Sequence, residues 1–140
     1  MPGSSIWLAP PLASPLHTIL SSLISKSLPA RFPGTTGPTF TPHVTLTSGV
    51  SPSVYGENPQ GWLESIPWPA AADVRVCFEA VKTEDVFFRR CYIKASFEGL
   101  RDVAGLARAH GVDGEETIGP ATEAWLEEWR QSFGPHVSLL

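Results

Sequence analysis

The chain is short of charge, of cysteine and of long apolar runs. Only 17% of its 140 residues are charged, ten Lys and Arg against fourteen Asp and Glu, for a formal net charge of −4. Nothing in that balance offers the basic stripe that neutralises many phosphates, so a long nucleic acid is not an expected partner. No hydrophobic stretch approaches the roughly 20 residues that a membrane-spanning helix needs, so no membrane span is expected. The opening MPGSSIWLAPPL has neither a basic start nor a sustained apolar core, which argues against a signal peptide. Two cysteines, Cys77 and Cys91, are too few for a disulfide scaffold and point to a reducing, intracellular setting, the cytoplasm first.

What the chain holds instead is punctuation. Fourteen prolines and twelve glycines cut it into short elements. SIWLAPP reads as a strand stopped by Pro10 and Pro11. Leu16, Ile19, Leu20, Leu23, Ile24 and Leu28 recur at helical spacing, and Pro29 is expected to end that helix. Residues 30–41 read as a loop. Residues 51–72 read as irregular, with a helical turn around Trp62, and Trp62 and Trp68 are expected to anchor loops rather than to stack on bases. Over 73–98 the alternation predicts a hairpin. Its apolar face would hold Val74, Val76, Phe78 and Ala80 against Cys91, Ile93, Ala95 and Phe97. That register puts Cys91 on the buried side and Cys77 on the polar side, so the two are not expected to bridge. Arg75, Tyr92 and Lys94 share the polar face, as a groove lining or as a solvated surface. Two helices follow. One carries Leu100, Val103, Ala104 and Ala107 and is closed by Gly111; the other runs from Pro120 to Gly134 with a stripe of Ala121, Trp125 and Trp129. Strand, helix, strand, hairpin, two helices and a final strand make an α+β domain over residues 1–140.

Two segments repeat. TPHVTLTSG (residues 41–49) and GPHVSLL (residues 134–140) both read Pro-His-Val-[Thr/Ser]-Leu. β-branched and aliphatic residues make each a short strand, with Pro42 and Pro135 at its first position, where no ladder donor is lost. Strand side chains alternate, so His43 and Thr45 point one way while Val44 and Leu46 point the other; His136 and Ser138 stand in the same relation to Val137 and Leu139. Each copy thus buries an aliphatic face and presents an imidazole beside a hydroxyl. A lone strand histidine is more often structural than catalytic, and His17 and His110 fit that reading. Repetition sets His43 and His136 apart.

Two equal imidazole–hydroxyl units suit few chemistries. A serine or threonine nucleophile needs one base and one orienting partner. Neither copy contains an acid to orient its ring, and no further spacing supplies the third and fourth ligands of a zinc site. In-line attack at phosphorus uses both units alike. One neutral imidazole takes a proton from water, one imidazolium gives a proton to the leaving oxygen, and two hydroxyls hold the non-bridging oxygens. A five-membered cyclic phosphate is already strained, so no metal and no cofactor is expected. The residues leave open which histidine is the base.

Paired His-x-[Thr/Ser]-apolar motifs resemble those of the 2H phosphoesterases. In this order, SIWLAPP, FTPHVTLTSGV, FFRRCYIKASFEG and FGPHVSLL are similar to the fungal 2′,3′-cyclic-nucleotide 3′-phosphodiesterase branch. The resemblance implies a bilobed fold, two antiparallel sheets around a central groove with helices outside, each lobe supplying one motif. It implies hydrolysis of nucleoside 2′,3′-cyclic phosphates to 2′-phosphates, and of ADP-ribose 1″,2″-cyclic phosphate, a product of tRNA splicing, to the 1″-phosphate. His43 and His136 become the acid/base pair, and Thr45 and Ser138 the phosphate hydroxyls. The resemblance also allows a Golgi-associated location, and a monomer is expected. Relatives of this kind continue past the second motif through a further helix and strands, so the C-terminal part of the domain is expected to be missing and a motif strand to lie on an open edge. The alternatives are a non-catalytic module of the same fold that binds a nucleotide or RNA end, an RNA 3′-end nuclease or ligase-like enzyme, and a plain α+β structural protein.

Overall fold

The structure, a computed structural model, describes residues 3–34, 39–85 and 90–140. Its elements run β1 (Ser4–Leu8), α1 (Pro15–Ser22), a π turn (Leu23–Ser27), α2 (Leu28–Arg31), β2 (Val44–Val50), α3 (Pro52–Tyr55), α4 (Pro59–Ser65), a 3-10 turn (Ala71–Asp73), β3 (Phe78–Lys82), β4 (Tyr92–Ala95), α5 (Arg101–Arg108), a second π turn (Ala109–Asp113), α6 (Pro120–Gln131) and β5 (His136–Ser138). The α+β expectation holds. Where two sheets were expected, the described residues form one five-stranded sheet, ordered β1-β2-β5-β4-β3, with every neighbouring pair antiparallel. The reason is the seam between the motif strands: Val44 pairs with Val137, which joins the two halves of the chain edge to edge. Neither motif strand is open. β2 lies between β1 and β5, and β5 between β2 and β4; the edges are β1 and β3.

One face of this sheet makes the core. Val44, Leu46, Val137, Leu139 and Ala95 pack with Val103, Ala104 and Ala107 of α5, Leu126 of α6, and Leu20 and Ile24 of the first helical run. Val44 is 2% exposed and Val137 3%, as the alternation of both motif strands requires. The second π turn comes so close to β2 that a Cβ on Gly111 would stand 2.9 Å from a Val50 methyl. Gly111 is therefore a contact glycine inside the helical run. The run closes instead at Gly114, with φ +66.

Other expectations shift for physical reasons. The first helix passes Pro29 and ends near Arg31, because the π turn has Leu28 N–H reach back to the Leu23 carbonyl and resets the ladder ahead of the proline. In α6 the buried residues are Thr122 and Leu126. Ala121 is exposed, and Trp125 and Trp129 stack on each other at 5.2 Å, half-buried against the core. The α6 N-terminus is tied to the preceding loop: Glu115 accepts from the Thr122 backbone N–H (3.1 Å) and hydroxyl (2.5 Å).

The hairpin is shorter than expected, and β3 is exposed along its length. Phe78 pairs with Ala95 but Ala80 with Lys94, a register shift at Glu79 that turns Ala80 to the face of Lys94. Of the expected buried row, Val74 packs half-buried against the core, while Val76, Phe78 and Ala80 are exposed. Cys77 and Cys91 are both free thiols, and burial pushes the Cys91 thiol up. Around 51–72 the helical turn at Trp62 is α4, and the Trp68 indole donates to the Leu63 carbonyl at 2.9 Å, a loop anchor as expected. Residues 87–89 of the FFRRCYIKASFEG segment lie outside the described residues.

Candidate active site

The seam fixes what faces what. Continuing the Val44–Val137 pairing by one residue each way sets His43 against Ser138 and Thr45 against His136. The two imidazoles are thus diagonal neighbours on adjacent strands, a relation that separates backbones by about 7–8 Å. The four polar side chains lie opposite the core face, and each is half-buried. β4 extends the same face, since Tyr92 pairs with Ser138 and Lys94 with His136. Of the seven expected site residues, six share this face. Arg75 does not. It precedes β3, is exposed, and is tied through its backbone N–H to the Gly99 carbonyl at 3.0 Å.

Both rings are held the same way in their own planes. His43 Nδ1 donates to the Thr41 carbonyl at 2.7 Å, and His136 Nδ1 donates to the Gly134 carbonyl at 2.9 Å. A carbonyl only accepts, so Nδ1 carries the proton in each neutral ring and Nε2 is left for the open face. The buried Pro42 and Pro135 hold each intervening residue. The backbone is not identical, because Gly134 has φ +66 while among the described residues no non-glycine residue, Thr41 included, has a positive φ.

The rings differ in what touches their faces. His43 stacks on the Trp7 indole, with centroids 3.7 Å apart and planes 11° apart. His136 meets the Phe133 ring at 3.6 Å and 64°, and Tyr92 lies 5.6 Å away. The Tyr92 hydroxyl donates to Glu84 Oε2 at 2.6 Å. Trp7 and Phe133 were missed from sequence. The only signal was that Phe133 stands three residues before His136 as Phe40 stands three before His43, so the repeat is longer than the pentapeptide. Phe40, however, packs against the core.

A cavity of about 800 Å3 runs along β1. Its wall is largely apolar, with Ile6, Leu8, Leu20, Val44, Trp62 and Phe78 among its residues; of the four motif side chains only His43 borders it. It does not enclose the paired motifs. Among the described residues no three His, Cys, Asp or Glu side chains gather as a metal-binding group, and no helix is long and apolar enough to cross a membrane.

Residues 1–140 match the family model for cyclic phosphodiesterase-like protein. The chain is 52% identical, over its whole length and 71% of the relative's, to a 2′,3′-cyclic-nucleotide 3′-phosphodiesterase of Neurospora crassa. It is 42% identical to the protein of that name in Phaeosphaeria nodorum, covering all of this chain and 69% of the other. A third protein of that name, from Yarrowia lipolytica, is 25% identical over 99% of this chain and 72% of its own. A sheet that sets two His-x-[Thr/Ser] strands side by side, matched along its full length by these relatives, belongs to the cyclic phosphodiesterase-like family.

Proposed function

We propose that this protein opens nucleoside 2′,3′-cyclic phosphates by metal-independent hydrolysis to 2′-phosphates. The observation that carries the reading is the diagonal pairing of His43 and His136, each with Nδ1 bound to the carbonyl two residues back and each set across from the other motif's hydroxyl. The names of the relatives support the substrate class.

Phosphate lies between the two Nε2 atoms. One histidine, neutral, accepts a proton from water as the water oxygen bonds to phosphorus. The other, protonated, gives its proton to O3′ as the P–O3′ bond breaks. Thr45 and Ser138 donate to the non-bridging oxygens as charge builds there. The sum is addition of one water; each histidine ends in the protonation state that the other began in, and exchange with solvent resets them. Lys94, paired with His136, adds a positive charge on the same face of the sheet. ADP-ribose 1″,2″-cyclic phosphate fits the same steps, with a 1″-phosphate as product.

The test is turnover of 2′,3′-cyclic AMP with EDTA present. The expected product is 2′-AMP, and the expected rate falls roughly 10²–10⁴-fold in each of His43→Ala and His136→Ala. The rate should also fall on both sides of a pH optimum, because one imidazole must be neutral and the other charged. Formation of 3′-AMP, binding without turnover, or a flat pH profile each counts against the reading.

A further inference from the structure

Two histidines in matching motifs need not be equally constrained. An in-plane hydrogen bond fixes the tautomer of an imidazole, but it leaves the ring free to tilt about the line of that bond. A flat contact on the ring face removes that freedom. His43 has both restraints: Nδ1 on the Thr41 carbonyl, and the Trp7 indole parallel to its face at 3.7 Å. β1 supplies the indole because Trp7 pairs with Thr45, next to His43 on the shared face. A register shift between Ile6 and Trp7 puts Ile6 opposite Thr47 and Trp7 opposite Thr45, which keeps Ile6 packed against the core while Trp7 turns to the polar side. Trp7 is 52% exposed. A large indole left half in water contributes less to stability than a buried one, so its packing energy is a poor account of its presence.

We infer that Trp7 is a positioning residue for His43: its indole holds the imidazole at the tilt that aims Nε2 at the phosphate. The inference rests on the proposed hydrolysis. Trp7 touches no reacting atom and acts only through His43. β1 is therefore part of the working machinery and not just an edge strand.

Steady-state kinetics on 2′,3′-cyclic AMP with Trp7→Ala and Trp7→Phe tests this, together with NMR of the His43 ring assigned with His43→Ala. Trp7→Ala is expected to lower kcat by about 10²-fold with KM within about twofold, the pattern of a misaimed group rather than lost binding. Trp7→Phe, which keeps a flat ring, should recover most of the rate. In the wild type the carbon-bound protons of the His43 ring should lie upfield in the indole ring current, and its ring nitrogens should report a single Nδ1–H tautomer. In Trp7→Ala the protons should move downfield and ring relaxation should report a more mobile imidazole, while the Nδ1–H tautomer held by the Thr41 carbonyl persists. A raised KM with unchanged kcat overturns the inference, since the indole would then hold substrate. Unchanged kinetics in Trp7→Ala overturns it as well. If the wild type turns over no cyclic phosphate, the proposed reaction falls, and the NMR alone decides Trp7: a His43 ring no more mobile in Trp7→Ala than in the wild type sinks the positioning role.

Discussion

The carbonyl oxygens of Thr41 and Gly134 decide which nitrogen of each imidazole faces outward. Sequence pattern could place the two histidines on a strand face, because that needs only the alternation of side chains. It could not show the backbone carbonyls, which depend on how each chain enters its strand, nor the rings of Trp7 and Phe133, which come from other segments. The hydroxyls give the sharpest test at this scale. Thr45 and Ser138 are half-buried on the polar face and outside the core, so removing either should leave the fold intact. Thr45→Ala and Ser138→Ala are each expected to cut kcat by roughly 10²–10³-fold, the cost of losing one donor to an oxyanion. Single-turnover rates with unchanged thermal midpoints would bear this out; a loss confined to KM would show that the hydroxyls bind without assisting the chemistry.

Among the elements, α6 carries the chain into the second motif, and its start is held by Glu115. The Thr122 hydroxyl, followed by the backbone N–H groups of Thr122, Ala121 and Gly119, holds the Glu115 carboxyl below the usual glutamate range, against a smaller opposing effect of burial. A carboxyl lowered on folding binds fewer protons in the native state, so its contribution is fully present above the unfolded value of about 4.3 and is lost as pH falls through the folded value. The thermal midpoint of the wild type should therefore drop more steeply than that of Glu115→Gln as pH falls below about 4.3, with the variant less stable at neutral pH. Parallel melting curves from pH 6 to 3 would refute the anchor. The Glu127–Arg130 pair also lowers a carboxyl, but both partners are exposed and screened. Elements of this chain were readable where local chemistry decides them: Pro120 opening α6, the turn of helix at Trp62, the polar placement of Tyr92 and Lys94. They were misread where a distant partner decides. The shift at Glu79 appears only once β4 is alongside, and Gly111 looks like a terminator until Val50 is seen against it.

For the whole molecule, the seam of Val44 and Val137 joins the β1–β2 pair to the β4–β3 pair within one sheet, and α5 packs against β2. The residues predicted a meeting of two distant segments. They did not predict that the meeting would be direct strand pairing within one sheet, because a strand carries no mark of its neighbour. Val44→Ala and Val137→Ala should each destabilise the fold, and the two changes should be non-additive, coupled by about 0.5–3 kcal/mol as contacting residues are. Denaturant titration of the single and double variants measures the coupling; strict additivity would mean that the two valines do not act as one contact across the seam.

That single line of pairing has a further consequence for how the protein can fail. Every strand residue alternates sides, so a slip of one position would carry an imidazole and its hydroxyl into the apolar layer. The helices and the bulk of the secondary structure could survive such an error, and far-ultraviolet spectra would scarcely register it. On the proposed mechanism, turnover would vanish. Catalysis in this molecule is thus a proofreading signal for strand alignment, sensitive to a fault to which most measures of foldedness are blind.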